Sequence, residues 1–233
     1  MKTLYLERSC GGGRDGSWTE SLGLDGVERI VVGTGPGSFA GIRAALAFAQ
    51  GYALGRPCEV LGLPSPCAVA AQFYLSNRVR PYQISKSSLA VVGDARRGKL
   101  WIALFNGYSL ICDIFQVNFE DILGTGPSGG VGTDPSGGVG TGPVSGVGTG
   151  PSVGVGTGPA EGGDRPRRGV PEGWPVVTVD EARIGEKLKA AFGERYLGGQ
   201  TPTAEGLRAF AEANPDALVR EPRPIYLNPA VRD

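Results

Sequence analysis

Short apolar runs, partly β-branched, recur along the chain at Thr3 to Leu6, Arg29 to Val32, Glu59 to Leu61 and Leu89 to Val92. Runs of this length bounded by turn residues predict buried strands. Leu100 to Phe105 and Leu110 to Val117 flank Asn106-Gly107-Tyr108, and because Asn-Gly accepts positive φ cheaply the pair predicts a β-hairpin. Helical signals mark three other segments. Gly41 to Leu54 is alanine-rich and closes at Gly55 with Pro57 beyond, Glu181 to Phe192 ends at Gly193, and Thr203 to Ala213 begins after Thr201-Pro202 and ends at Asn214-Pro215. Strands interleaved with helices predict α/β layers. The first of these helices carries Ile42, Leu46, Ala49 and Ala53 on one face and Ala45, Phe48 and Tyr52 on another, leaving Arg43 and Gln50 as its main polar side chains. A helix that is apolar nearly all round is either sandwiched within its domain or covered by another chain, and the sequence leaves both open.

The periodicity changes at Gly124. From there the chain repeats every eight residues, as GTGPSGGV, GTDPSGGV, GTGPVSGV and GTGPSVGV, closing with GTGP at Pro159. Asp134 is the one charge in the tract and single valines are all it offers to bury, too little to offset the ordering entropy of so many glycines. The expectation is a disordered Gly/Pro-rich insert over residues 124–168 within a two-lobed molecule, the first lobe spanning residues 1–88 and the second 89–233.

Composition narrows the chemistry. The 233 residues are 40% hydrophobic, enough to fill a core, and 23 basic against 23 acidic side chains give no global field to draw a phosphate polymer or an anionic membrane. Nucleic acid, if involved, is expected to be met through a partner. There is no histidine at all, which excludes Ser-His-Asp and Cys-His catalysis and histidine-bearing zinc motifs. Cys10, Cys58, Cys67 and Cys112 have no C-x-x-C spacing and read as reduced, mostly buried thiols. No apolar stretch approaches the roughly 20 residues of a membrane span, so a cytoplasmic protein is expected, with no metal and no cofactor.

The sharpest local motif is Val31-Val32-Gly33-Thr34-Gly35-Pro36-Gly37-Ser38-Phe39-Ala40-Gly41-Ile42-Arg43, a strand exit passing through glycines into a helix. Unpaired amides at the positive end of a helix dipole suit an anion, which makes Gly35, Gly37, Ser38 and Gly41 candidate phosphate-loop residues. No Gly-Lys-Ser/Thr follows, so this is not a P-loop. Gly35, Gly37 and Ala40 fit the loose dinucleotide fingerprint, yet Pro36 removes a donor where the pyrophosphate would dock and Glu59 opens its strand instead of closing it. The other reading is a tight turn needing glycine for close strand–helix packing. Asp94, in Val92-Gly93-Asp94-Ala95-Arg96-Arg97-Gly98-Lys99, either holds a metal or water at a strand end or bonds its own turn backbone.

Together these segments resemble the TsaB (YeaZ) family, a subunit of the bacterial tRNA threonylcarbamoyladenosine machinery. GTGPGSFAGIRAALAFAQGYALG is similar to that family's GPGSFTGLR loop and helix, Val60-Leu61-Gly62-Leu63-Pro64-Ser65-Pro66 to its strand and VSSL, Val92 to Trp101 to its IDARRGEVY strand-turn-strand, and Pro224-Ile225-Tyr226-Leu227 to its closing PLYLR. The resemblance implies an actin-like ATPase (ribonuclease H-like, duplicated) α/β fold. It further implies a noncatalytic scaffold that pairs with a TsaD-type subunit through the helix after the loop, which gives Ile42, Arg43, Leu46, Ala49, Gln50 and Ala53 as interface residues. A TsaE-type ATPase would complete the complex, tRNA would be met only indirectly, and a homodimer is a further option. Arg165, Arg167 and Arg168 form a small basic cluster after the repeats, which reads as a solvated linker end or as a contact to tRNA phosphate. The chain departs from the family where Thr3-Leu4-Tyr5-Leu6-Glu7-Arg8-Ser9 replaces ILAIDTS and where Gly11 to Trp18 stands in place of a hairpin and long helix. The alternative is an actin-fold ATPase or nucleotide-dependent enzyme using the loop Gly33 to Gly41.

Overall fold

The computed structural model describes residues 1–10, 22–76, 87–123 and 169–227; the octad repeats, Gly11 to Trp18 and Arg165 to Arg168 lie outside them. In chain order the elements are β1 (Lys2–Leu6), β2 (Val27–Gly33), α1 (Phe39–Ala53), β3 (Glu59–Leu63), α2 (Ser65–Ser76), β4 (Ser88–Arg96), β5 (Lys99–Asn106), β6 (Ser109–Leu110) and β7 (Phe115–Asn118). After residue 168 follow β8 (Val176–Thr178), α3 (Glu181–Phe192), β9 (Tyr196–Gly199), α4 (Ala204–Ala213) and β10 (Val219–Arg220).

Two sheets result. The first has the order β1-β2-β3-β10, parallel except for antiparallel β10. The second has the order β6-β5-β4-β8-β9, with β4 and β5 antiparallel, β8 and β9 parallel to their neighbours, and β7 on the same edge of β5 as β6. The period-two alternation of each strand then assigns side chains to layers. Leu6, Ile30 and Val32 face α1, while Val31, Leu61 and Leu63 face the other way, onto α2. In the second sheet Leu89, Val91, Trp101, Ala103 and Phe105 meet α2 and α4, and Ala90, Val92, Leu100, Ile102 and Leu104 meet α3. The stack is therefore α1, first sheet, α2 with α4, second sheet, α3. Each large aliphatic or aromatic side chain so buried contributes about 1.5–3 kcal/mol.

Three features differ from the sequence expectations. The segment Ser65–Ser76 forms α2, a helix the hydrophobic pattern did not announce, because it is buried from Ser65 through Ala71 and again at Phe73 and Tyr74. A helix covered on all sides has no polar stripe to reveal its period. The hairpin turns at Gly107-Tyr108, with Gly107 at φ 58°, but its return strand is broken into β6 and β7, both on β5. The first sheet takes β1 to β3 from the start of the chain and β10 from its end, and α4 packs on α2. Of the cysteines only Cys67 is buried; Cys58 and Cys112 are half-buried, Cys10 is exposed, and all four are free, which corrects the expectation of mostly buried thiols.

Candidate functional site

The loop between β2 and α1 is held on three sides by backbone hydrogen bonds. The amide of Thr34 donates to the carbonyl of Leu63 at 2.9 Å, Gly35 donates to the Ser65 hydroxyl at 3.1 Å, and Ser65 returns a bond to the Gly35 carbonyl at 2.9 Å. The C-terminal tail joins in as Ile225 donates to Thr34 O at 2.8 Å. Further along, Ser38 N donates to Ser9 O at 2.5 Å, and the Ser38 hydroxyl caps α1 by accepting from Gly41 N at 3.3 Å while its carbonyl accepts from Ile42 N at 3.0 Å. The amides of Gly35, Ser38, Gly41 and Ile42, which a phosphate would need, are thus already donating to the protein.

The glycines serve the same close packing. A Cβ on Gly37 would strike the Ser9 backbone carbonyl, and one on Gly41 would strike that of Arg8. Gly35 has φ 91°, in the left-handed region, and a Cβ there would come within 2.6 Å of Ile42 Cδ1. Beneath the loop, Glu7 Oε1 accepts from Ser9 N at 2.7 Å, and its carboxylate fills the space where a Gly33 side chain would stand. Burial pushes the Glu7 carboxyl above the ordinary carboxylate range, against the lowering pull of hydrogen bonds from Ser9. Burial likewise pushes the Cys67 thiol up, so that it is no nucleophile at neutral pH.

Helix α1 resolves the choice left open by its sequence. Ile42, Leu46 and Ala49 are buried against the first sheet, so these three are core and not a surface for a partner. Ala53 is half-buried, while Arg43 and Gln50 point outward. The outer face is completed by Phe39, Ala40, Ala44, Ala47, Gly51 and Leu54, of which Phe39 is 55% and Leu54 83% exposed. The Phe39 ring lies 5.3 Å from that of Tyr226 and beneath the Arg43 guanidinium at 4.9 Å. The outward positions carry little signal in the sequence, because Ala40, Ala44, Ala47 and Gly51 are weaker markers of a face than Ile42 and Leu46. The signal that would have found them is the recurrence at 40, 44, 47 and 51, which at about 100° per residue stands on the side of the helix opposite the inward stripe.

Asp94 is a turn aspartate. Its Oδ1 accepts from Arg96 N at 2.8 Å, and Oδ2 pairs with Arg96 Nη1 at 3.3 Å and Arg183 Nη1 at 3.4 Å. A carboxylate shared between two guanidiniums is not free for a metal, and among the described residues no group of three or more His, Cys, Asp or Glu side chains could hold one. The structure therefore brings together Gly35, Gly37, Ser38 and Gly41 as one packed junction and sets Asp94 apart from it, in the second sheet.

Residues 20–125 match the family described as TsaD: tRNA N6-adenosine threonylcarbamoyltransferase. Among solved structures, YeaZ from Pseudomonas aeruginosa superposes with a TM-score of 0.52 at 17% identity, over 90% of this chain and 78% of that one. A second structure, of an uncharacterized protein with similarity to peptidase YEAZ from Pseudomonas aeruginosa, gives 0.52 at 18% identity with the same coverage. No curated protein matches the chain. The chain resembles the TsaB (YeaZ) family along nearly all of its length and has the mixed α/β fold of YeaZ.

Proposed function

We propose that this chain is a noncatalytic TsaB-type subunit in the tRNA threonylcarbamoyladenosine system, docking on a TsaD-type partner through the outer face of α1. The observation that carries this reading is that face itself: small and apolar at Ala40, Ala44, Ala47 and Gly51, flanked by exposed Phe39 and Leu54, with Arg43 and Gln50 to orient a partner. Small side chains let a second helix approach closely, and an apolar face this exposed fits coverage by another chain. The YeaZ fold and the match to the TsaD family support the pathway. A standard interface buries about 1,600 Å², more than one helix supplies, so the neighbouring tail at Tyr226 belongs to it as well. A TsaE-type ATPase joins through the partner, tRNA is engaged within the complex in the cytoplasm, and without TsaD the same face supports a homodimer.

The ATPase or nucleotide-dependent enzyme reading has less behind it. The loop amides are engaged within the fold and the chain has no histidine to act as a base near neutral pH. The test is co-purification with the TsaD-family protein of the same cell, comparing the parent with Ala47→Arg, which plants a large charge on the outer face without touching the core. Loss of the partner is expected; retained binding by a folded variant overturns the docking surface.

A further inference from the structure

A different face of the molecule holds an open hollow of about 280 Å³ between the β4–β5 turn, the start of α3 and Phe119. Its polar lining is one-sided. Arg96, Arg97 and Lys99 come from the turn, Arg183 and Lys187 from α3, and Asp94 is the single carboxylate among them. Asp94 is only 16% exposed and lies at the floor between Arg96 and Arg183, so it orders two of the cations without cancelling all five. Among the described residues Arg97 and Lys99 make no ion pair, and Lys187 has only the Phe119 ring, 5.9 Å from its ammonium. In a chain with equal numbers of acidic and basic side chains, this concentration is local and needs a local reason.

The backbone supplies an independent observation. Arg96 and Lys99 pair across a two-residue turn, Arg97-Gly98, and the three residues from 96 to 98 have φ of 70°, 53° and 75°. Positive φ at such a turn favours Asn, Asp or Gly, and arginine at two successive left-handed positions is strained. Strain of this kind clusters at ligand-binding and catalytic sites. Glycine or asparagine at 97 would make the same turn without it.

We infer that this hollow is a phosphate-binding site, in which Arg97, Lys99 and Lys187, backed by the Asp94-ordered Arg96 and Arg183, receive phosphate oxygens. Guanidinium and ammonium donors around a concave site suit a group with several acceptor oxygens. The phosphate is that of an RNA backbone or of a free polyphosphate compound, and the chemistry of recognition is shared between them. The site lies across α3 and the second sheet, on the opposite side of the stack from α1, so it does not depend on the docking surface proposed above.

The test uses the full chain at low ionic strength, titrated with labelled tRNA and, separately, with inorganic tripolyphosphate. The double variant Arg97→Gly, Lys99→Gln is expected to bind at least about tenfold more weakly, the loss of charge-assisted bonds being worth roughly that much. Its melting temperature should be unchanged or raised, because glycine relieves the turn, so weaker binding cannot be laid to unfolding. For tRNA, the plot of log affinity against log salt should flatten by about 0.7–0.9 per phosphate contact removed. Binding of tRNA alone assigns the site to an RNA backbone, and binding of tripolyphosphate as well assigns it to free phosphate compounds. The inference is overturned if neither probe binds, or if the double variant binds as tightly as the parent. Ala47→Arg should leave anion binding intact, which separates failure here from failure of the docking surface.

Discussion

The amide of Ser38 donates to the carbonyl of Ser9 across 2.5 Å, tying the head of α1 to the exit of β1. The exit of β1 and the loop before α1 are therefore in direct contact. The glycines on one side and the carbonyls of Arg8 and Ser9 on the other leave no room between them.

That contact makes Gly37 sensitive to a single methyl group. Gly37→Ala should destabilise the fold by about 1–3 kcal/mol, since the Cβ meets backbone that cannot swing aside. Denaturant unfolding followed by circular dichroism measures it, and an unchanged midpoint would refute the tight-packing account of the loop.

On α1, adjacent positions should behave in opposite ways. Leu46 is 4% exposed in the core, so Leu46→Asp buries an unpaired charge and should leave too little stability for a folded chain to be recovered. Ala47→Arg, one residue on and exposed, should alter stability by no more than about 0.5 kcal/mol. Thermal melts of the two proteins side by side give the answer.

Glu7 predicts the direction of a pH effect. Burial raises its pKa on folding, so the folded state holds this proton above the pH at which the unfolded chain has released it. Stability from this group is therefore fully present below the unfolded value near 4.5 and is lost as pH rises through the folded value. Glu7→Gln should be more stable than the parent at neutral pH, with the difference shrinking as the pH falls toward that unfolded value. Urea titrations across the range check the sign.

In the central layer Phe210 meets Phe105 at 6.1 Å and Tyr108 at 5.4 Å between ring centres, both edge-on. Phe210→Ala should cost about 3–5 kcal/mol and weaken the packing of α4 on the second sheet. A smaller loss would mean that α4 contributes little to joining the two sheets.

How much of this was readable beforehand depended on whether an element shows a face to water. Glu181–Phe192 and Ala204–Ala213 alternate polar and apolar sides, and the bounds read from sequence agree with the structure to within a residue. Ser65–Ser76 shows no such face and stayed hidden. The strand Val219–Arg220 is too short for its period to register, although it closes the first sheet. At the site, the glycines announced a close approach but not what approached. Only the geometry names Arg8 and Ser9. The identity of Ile42 and Leu46 as core, and of Ala44 and Ala47 as surface, depends on which way α1 is turned, and a helix apolar nearly all round does not disclose that.

Val170 donates its amide to the carbonyl of Ile122 at 2.9 Å, and both side chains are buried in the layer beneath α3. The described chain on either side of residues 124–168 is therefore clasped at one point. Both side chains are buried, so the point at which residues 124–168 join the fold is anchored in the core and not at its surface.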